Sequence, residues 1–119
     1  MGQWDEFVSG TELFNAGACF EAHETLEALW MRASGSEKRL LQGLIQLAVA
    51  CHHWQQGNFK GAASLLAKAE QKLKGVQTGF LETGRLMAEM ERAGQELQTR
   101  QAAGPGPPLK IVLNESFIR

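Results

Sequence analysis

His23, Glu24 and Glu27 lie within one turn and a half of a single helical segment, "FEAHETLEALW" at residues 20–30, among Phe20, Leu26 and Trp30. On a helix, His23 and Glu27 are i, i+4 neighbours and Glu24 and Glu27 are i, i+3 neighbours, so both pairs can touch. A helical wheel puts His23 and Glu27 between apolar residues on both sides and Glu24 at the margin. An unpaired carboxylate in such a setting is costly, and must find a proton, a donor, a metal or water.

The chemistry open to this cluster takes three forms. One is a hydrogen-bonded network that ties helices together, with the carboxylates accepting from histidine, glutamine or a helix N-terminus. The second is a divalent metal site. "HETLE" resembles the zinc-protease helix H-E-x-x-H, with Glu27 where the second histidine belongs. His23, Glu27 and His53 are the candidate ligands, because a third ligand has to come from elsewhere and only His52 or His53 offers one. The third is a polar anchor beside apolar walls, Trp30 and Phe20, that recognises a small molecule or a protein segment. Gln42, Gln46 and His53 share a polar stripe on another helix and are the candidate partners of the cluster; Arg32, Lys38, Arg39 and Glu91 are further ones. Other chemistry is weakly supported. The only aspartate is Asp5, which leaves no Ser-His-Asp arrangement, and the glycines follow no phosphate-loop spacing.

The elements that must position these residues are helices. Trp4, Phe7, Val8, Thr11 and Phe14 give a first helix that stops near Gly17, and residues 18–33 give a second. Ser34 and Glu37 read as a capping box that opens a third helix running to about Gln56. That helix is apolar almost all round and should therefore be central. Gly57-Asn58 supplies a stop and the next N-cap. Ala62, Leu65, Leu66, Ala69 and Leu73 form the apolar stripe of a fourth helix, ended by Lys74-Gly75-Val76. A fifth, residues 79 to about 101, places Phe80, Met87, Met90 and Leu97 on one side. Pro105, Pro107 and Pro108 then forbid a helix.

"FNAGACFEAHETL" and "WQQGNFKGAASLL" align at an offset of 40 residues, matching Phe14 with Trp54, Gly17 with Gly57, Ala22 with Ala62 and Leu26 with Leu66. The expected architecture is all-α: a compact antiparallel bundle of about five helices, built from two related helical hairpins, with an extended C-terminal tail. The bundle domain spans 1–102, and 103–119 holds a Pro/Gly linker and the tail. Leu109, Ile111 and Leu113 fall on one face of that tail, and Phe117 and Ile118 follow. So apolar a strand is expected to pack on the bundle, its own or that of a partner in a tail-exchanged homodimer.

Composition sets the outer bounds. The 119 residues are 44% hydrophobic and 21% charged, with net charge −1, which is ordinary for one globular domain. No basic stripe points to nucleic acid, and no apolar run reaches membrane-span length. Cys19 and Cys51 read as small core residues with reduced thiols, and the chain starts without a signal peptide, so a cytoplasmic protein is expected.

The residues Phe14, Asn15, Gly17, Phe20, Glu21, Ala22, His23, Glu24, Glu27 and Trp30, followed by Gln42-Gly43-Leu44-Ile45-Gln46 and by Gly57, Asn58, Gly61 and Ala62, carry a resemblance. Over roughly residues 7–73 the chain resembles the bacterial, archaeal and plastid family called domain of unknown function 309. One departure is Cys19, where that family usually has an aromatic residue. The resemblance implies a small all-α bundle and joins Gln42 and Gln46 to His23, Glu24 and Glu27 in one signature, but implies no activity. The resulting expectation is a non-enzymatic binding or interaction module. Its polar patch comprises His23, Glu24, Glu27, Trp30, Gln42 and Gln46, and its partner is a protein or a small molecule. A metal-binding protein or metal-dependent hydrolase is the alternative.

Overall fold

The computed structural model describes residues 3–76, 78–99 and 109–113. They form five helices: α1 (Gln3–Asn15), α2 (Cys19–Trp30), α3 (Gly35–Gln55), α4 (Phe59–Leu73) and α5 (Thr83–Gln98). The all-α expectation and the helix count hold. Each helix packs chiefly on its neighbours in sequence, with α3 held between α2 and α4. Leu44, Leu47 and Ala48 of α3 are almost fully excluded from solvent, as the all-round apolar pattern requires.

The two hairpins, α1–α2 and α3–α4, end and restart alike. Gly17 and Gly57 both take the left-handed conformation, at φ 88° and 79°, which glycine adopts without the steric penalty of a Cβ. Around them the Ala18 N–H donates to the Leu13 carbonyl, and the Asn58 N–H to the His53 carbonyl. Both are the six-residue closure of a Schellman turn. The paired Phe14 and Trp54 seal their turns from the inside, and Ala22 and Ala62 are both completely buried where the second helix of each hairpin crosses the first. The 40-residue echo is thus a structural repeat. It does not extend to the chemistry: His23, Glu24 and Glu27 correspond to Ala63, Ser64 and Ala67.

Several local expectations fail for identifiable reasons. Ser34 occupies the N-cap of α3, but its side chain makes no capping bond, so the Ser34–Glu37 box does not form. Asn58 does cap α4, its Oδ1 accepting from the Gly61 N–H at 3.0 Å. The fifth helix starts at Thr83, four residues later than its apolar pattern suggests. Phe80 leaves the helical stripe to pack edge-on against Trp4 and Phe7 of α1. Leu81 pairs with Leu113 in an antiparallel bridge. Cys19 and Cys51 are buried as expected, yet they are joined as a disulfide between α2 and α3 and are not two separate thiols.

Residues Leu109 to Leu113 form a strap across the bundle. Leu109 and Ile111 are buried. The Asn15 side chain holds the strap through both of its polar atoms: Nδ2 donates to the Ile111 carbonyl and Oδ1 accepts from the Ile111 N–H, each at 2.8 Å. The Lys110 N–H donates to Glu89 of α5 and the Glu82 N–H to the Val112 carbonyl. The strap therefore docks on its own bundle. The Pro/Gly linker at 103–108, Phe117 and Ile118 lie outside the described residues. No helix among the described residues is long and apolar enough to cross a membrane.

Candidate functional site

Two aromatic contacts fix how α2 lies on α3. The Phe20 and His52 ring centroids are 5.5 Å apart, and the Lys38 ammonium sits 4.3 Å above the Trp30 ring. The start of α2 therefore meets the end of α3 and the end of α2 meets its start, so the helices run antiparallel. His23 and Glu27 fall between these two contacts, alongside the stretch of α3 that carries Gln42 and Gln46.

Within this seam His23 is mostly covered and Glu27 is not, with side-chain exposures of 22% and 55%. His23 Nε2 lies 3.9 Å from Glu27 Oε2, the outer limit of an ion pair. So exposed a pair contributes little to stability. Glu24 is exposed as well. The wheel-based expectation that Glu27 is enclosed is thus corrected: its flanking apolar residues, Phe20 and Met31, are themselves 48% and 72% exposed. They extend the apolar arc in sequence but not in the packed core.

The two helices do bury polar atoms, on different sides: those of His23 and Trp30 belong to α2, while Gln46 lies three residues after Gly43 and seven after Arg39, on the side of α3 that meets α4. His23 Nδ1, Trp30 Nε1 and Gln46 Oε1 are each shielded from solvent and have no hydrogen-bond partner among the described residues. Trp54 Nε1 is in the same condition, but in the core on another side of α3. An unsatisfied buried donor or acceptor costs about 1–3 kcal/mol, and two on α2, His23 Nδ1 and Trp30 Nε1, are unusual for a structural network, whose members are normally all paired.

The other candidates are engaged elsewhere. Arg32 pairs with Glu6 of α1. Arg39 donates to the Gln71 and Lys72 carbonyls at the end of α4, where a cation suits both the free carbonyls and the helix dipole. Glu91 lies beside Glu70 in a hollow between α4 and α5 that also includes Lys74 and Met87. Burial, reinforced by the Glu91 charge, raises the Glu70 carboxyl above its ordinary value. A second hollow lies between the start of α3 and residues 74–80. Neither hollow includes a residue of the α2–α3 seam.

His53 does not turn toward His23; its Nδ1 accepts from Asn58 Nδ2 at 3.2 Å, at the start of α4. No three His, Cys, Asp or Glu side chains gather into a metal-binding group among the described residues. The histidine that reaches the seam is His52. The Phe20 ring stands between His23 and His52, at 5.6 and 5.5 Å. Sequence held a usable signal: Phe20 and His52 each follow a cysteine, so a Cys19–Cys51 pairing alone places them side by side.

A family model described as "Domain of unknown function (DUF309)" matches residues 7–65. The chain belongs to this family. The matched stretch runs from α1 into α4 and contains the whole seam and both glycine turns. Among curated proteins the chain is 35% identical over 88 residues to the uncharacterized protein YpuF of Bacillus subtilis (strain 168), covering 70% of this chain and 51% of that protein. It is 30% identical over 100 residues to an uncharacterized protein of Aquifex aeolicus (strain VF5), covering 82% of this chain and 29% of that one. The chain thus spans about half or less of these relatives' lengths. The family description and both relatives' names assign no activity, and the seam has to be read from its own geometry.

Proposed function

We propose that this DUF309 domain is a non-enzymatic binding module whose recognition site is the α2–α3 seam, formed by His23, Glu24, Glu27, Trp30, Gln42 and Gln46. The observation that carries the reading is the pair of buried polar atoms on α2, His23 Nδ1 and Trp30 Nε1, that find no partner among the described residues. A ligand or partner group that hydrogen-bonds to them would recover a cost that folding leaves standing. The exposed Phe20 ring beside them offers the apolar contact that fixes orientation.

The test is a titration of 15N-labelled protein with small aromatic carboxamides, followed at the Trp30 indole and the Gln46 side-chain amide. Binders are expected to move both signals, to leave the Trp54 indole unchanged and to lose affinity in His23→Ala. Binders that leave Trp30 and Gln46 unmoved would refute the assignment. The metal alternative rests on the i, i+4 pairing of His23 and Glu27, and a titration with Zn2+ alone tests it at the same signals.

Two further parts belong to the proposal. The homodimer would use the strap contacts in trans; deletion of residues beyond 102 would then convert a dimer to a monomer in sedimentation. The Cys19–Cys51 disulfide would, in a cytoplasmic location, face the reducing cellular thiol pool, which would open it. Alkylation of acid-quenched cells is then expected to label both cysteines, and an unlabelled pair would refute that placement.

A further inference from the structure

Phe20, Glu24, Glu27 and Met31 follow one another at i, i+4, i+7 and i+11, the spacing of a single straight stripe along a helix. All four are exposed. Met31, the C-cap, keeps helical dihedrals at φ −64° and ψ −22°, so the stripe continues through it. At 1.5 Å per residue the two apolar ends stand about 16 Å apart, with the two carboxylates between them. The helix behind this stripe carries Glu21, Glu24 and Glu27 and neither lysine nor arginine.

From this juxtaposition we infer that the exposed α2 stripe docks a helical segment of another protein that is apolar at both ends and basic at its centre. The inference rests on the seam reading above and names its partner. Charge selects the occupant. A second copy docked symmetrically would set Glu24 and Glu27 against themselves, and like charges in register repel. Anionic lipid and nucleic acid phosphates meet the same repulsion. A partner arginine suits the site well, because its planar fork matches a carboxylate and a neighbouring aromatic face. The apolar ends are suited to their task in different ways. Phe20 is braced between the His23 and His52 rings, so it loses little freedom on binding. Met31 is flexible and adapts to the shape it meets.

The experiment uses a labelled helical peptide with two leucines eleven positions apart and two arginines between them, placed to face Glu24 and Glu27. Fluorescence anisotropy against the full chain is expected to show saturable binding that weakens with added salt. The double variant Glu24→Gln with Glu27→Gln should weaken it about tenfold, the worth of two exposed ion pairs, and Phe20→Ala should weaken it further. These residues are exposed, so the variants are expected to fold; circular dichroism verifies this. No binding up to millimolar peptide, equal binding of a peptide with glutamates in place of the arginines, or indifference to both variants would each overturn the inference. The seam reading is separated by the Trp30 indole. A peptide that moves this signal regardless of its charge overturns the basic partner and keeps the seam. A binder that moves no seam signal overturns both.

Discussion

Replacement of Gln46 by Met distinguishes a seam built for an external partner from one built to hold the helices together. The two side chains are close in length and volume, so the change removes an amide and little else. Gln46 Oε1 is buried without a donor, and such an orphan costs about 1–3 kcal/mol. Removing it while adding apolar contact around α3 should stabilise the fold by about 1–2 kcal/mol, the lower part of that range because the residue is half-buried. For a chain of this size each kcal/mol corresponds to about 4 °C in melting temperature. Urea unfolding followed by circular dichroism measures the gain directly, and the same variant should bind seam ligands less well, a trade of stability against function. Loss of more than about 0.5 kcal/mol would show that the amide is paired within the folded protein. The argument from orphaned atoms would then fail.

Other perturbations test the frame around the seam. A Cβ on Gly43 would lie 2.7 Å from two carbons of Leu73, so Gly43→Ala should lose about 1–3 kcal/mol through overpacking of α3 on α4. Gly84 in α5 has nothing within 4 Å of that position, and Gly84→Ala should gain about 0.5 kcal/mol; equal melting shifts for the two would refute the packing argument. Asn15→Ala removes both bonds to Ile111 and should cost about 2 kcal/mol, with faster hydrogen exchange at the Ile111 amide as its local signature. Glu70 has a raised folded pKa, so the native state binds its proton more tightly than the unfolded chain and stability falls as pH rises between the ordinary and the raised value. Glu70→Gln should therefore be more stable than wild type at neutral pH, and that advantage should vanish in acid below the carboxylate range.

Local grammar was legible in the residues. Gly17 and Gly57 mark turns because few other residues adopt positive φ there, and Asn58 marks a cap because its side chain reaches the Gly61 amide. The Ala62, Leu66, Ala69 and Leu73 stripe is buried as its spacing requires. Long-range partners were less legible. Phe80 fits a helical stripe as well as it fits the Trp4 and Phe7 rings, and only the tertiary contact decides. Glu27 reads as enclosed because its neighbours are apolar by type, yet Phe20 and Met31 are apolar and exposed. Residue type reports what can be buried; which side of α2 meets α3 is set by the packing of α3. For the same reason the sequence offers His52 and His53 alike, and the choice of His53 is the one that the contact of His52 with Phe20 reverses.

The strap has a consequence for the order in which the molecule assembles. The extensive helix contacts join consecutive helices, so their loops are short and cheap to close, and this favours rapid local folding. Asn15 and Ile111 are 96 residues apart, and the Leu81–Leu113 bridge joins the same strap to the start of α5. Closing that circuit requires both hairpins to stand first. In stopped-flow refolding the helical signal should therefore recover before the Ile111 amide becomes protected, and under native conditions the strap should be the first segment to open.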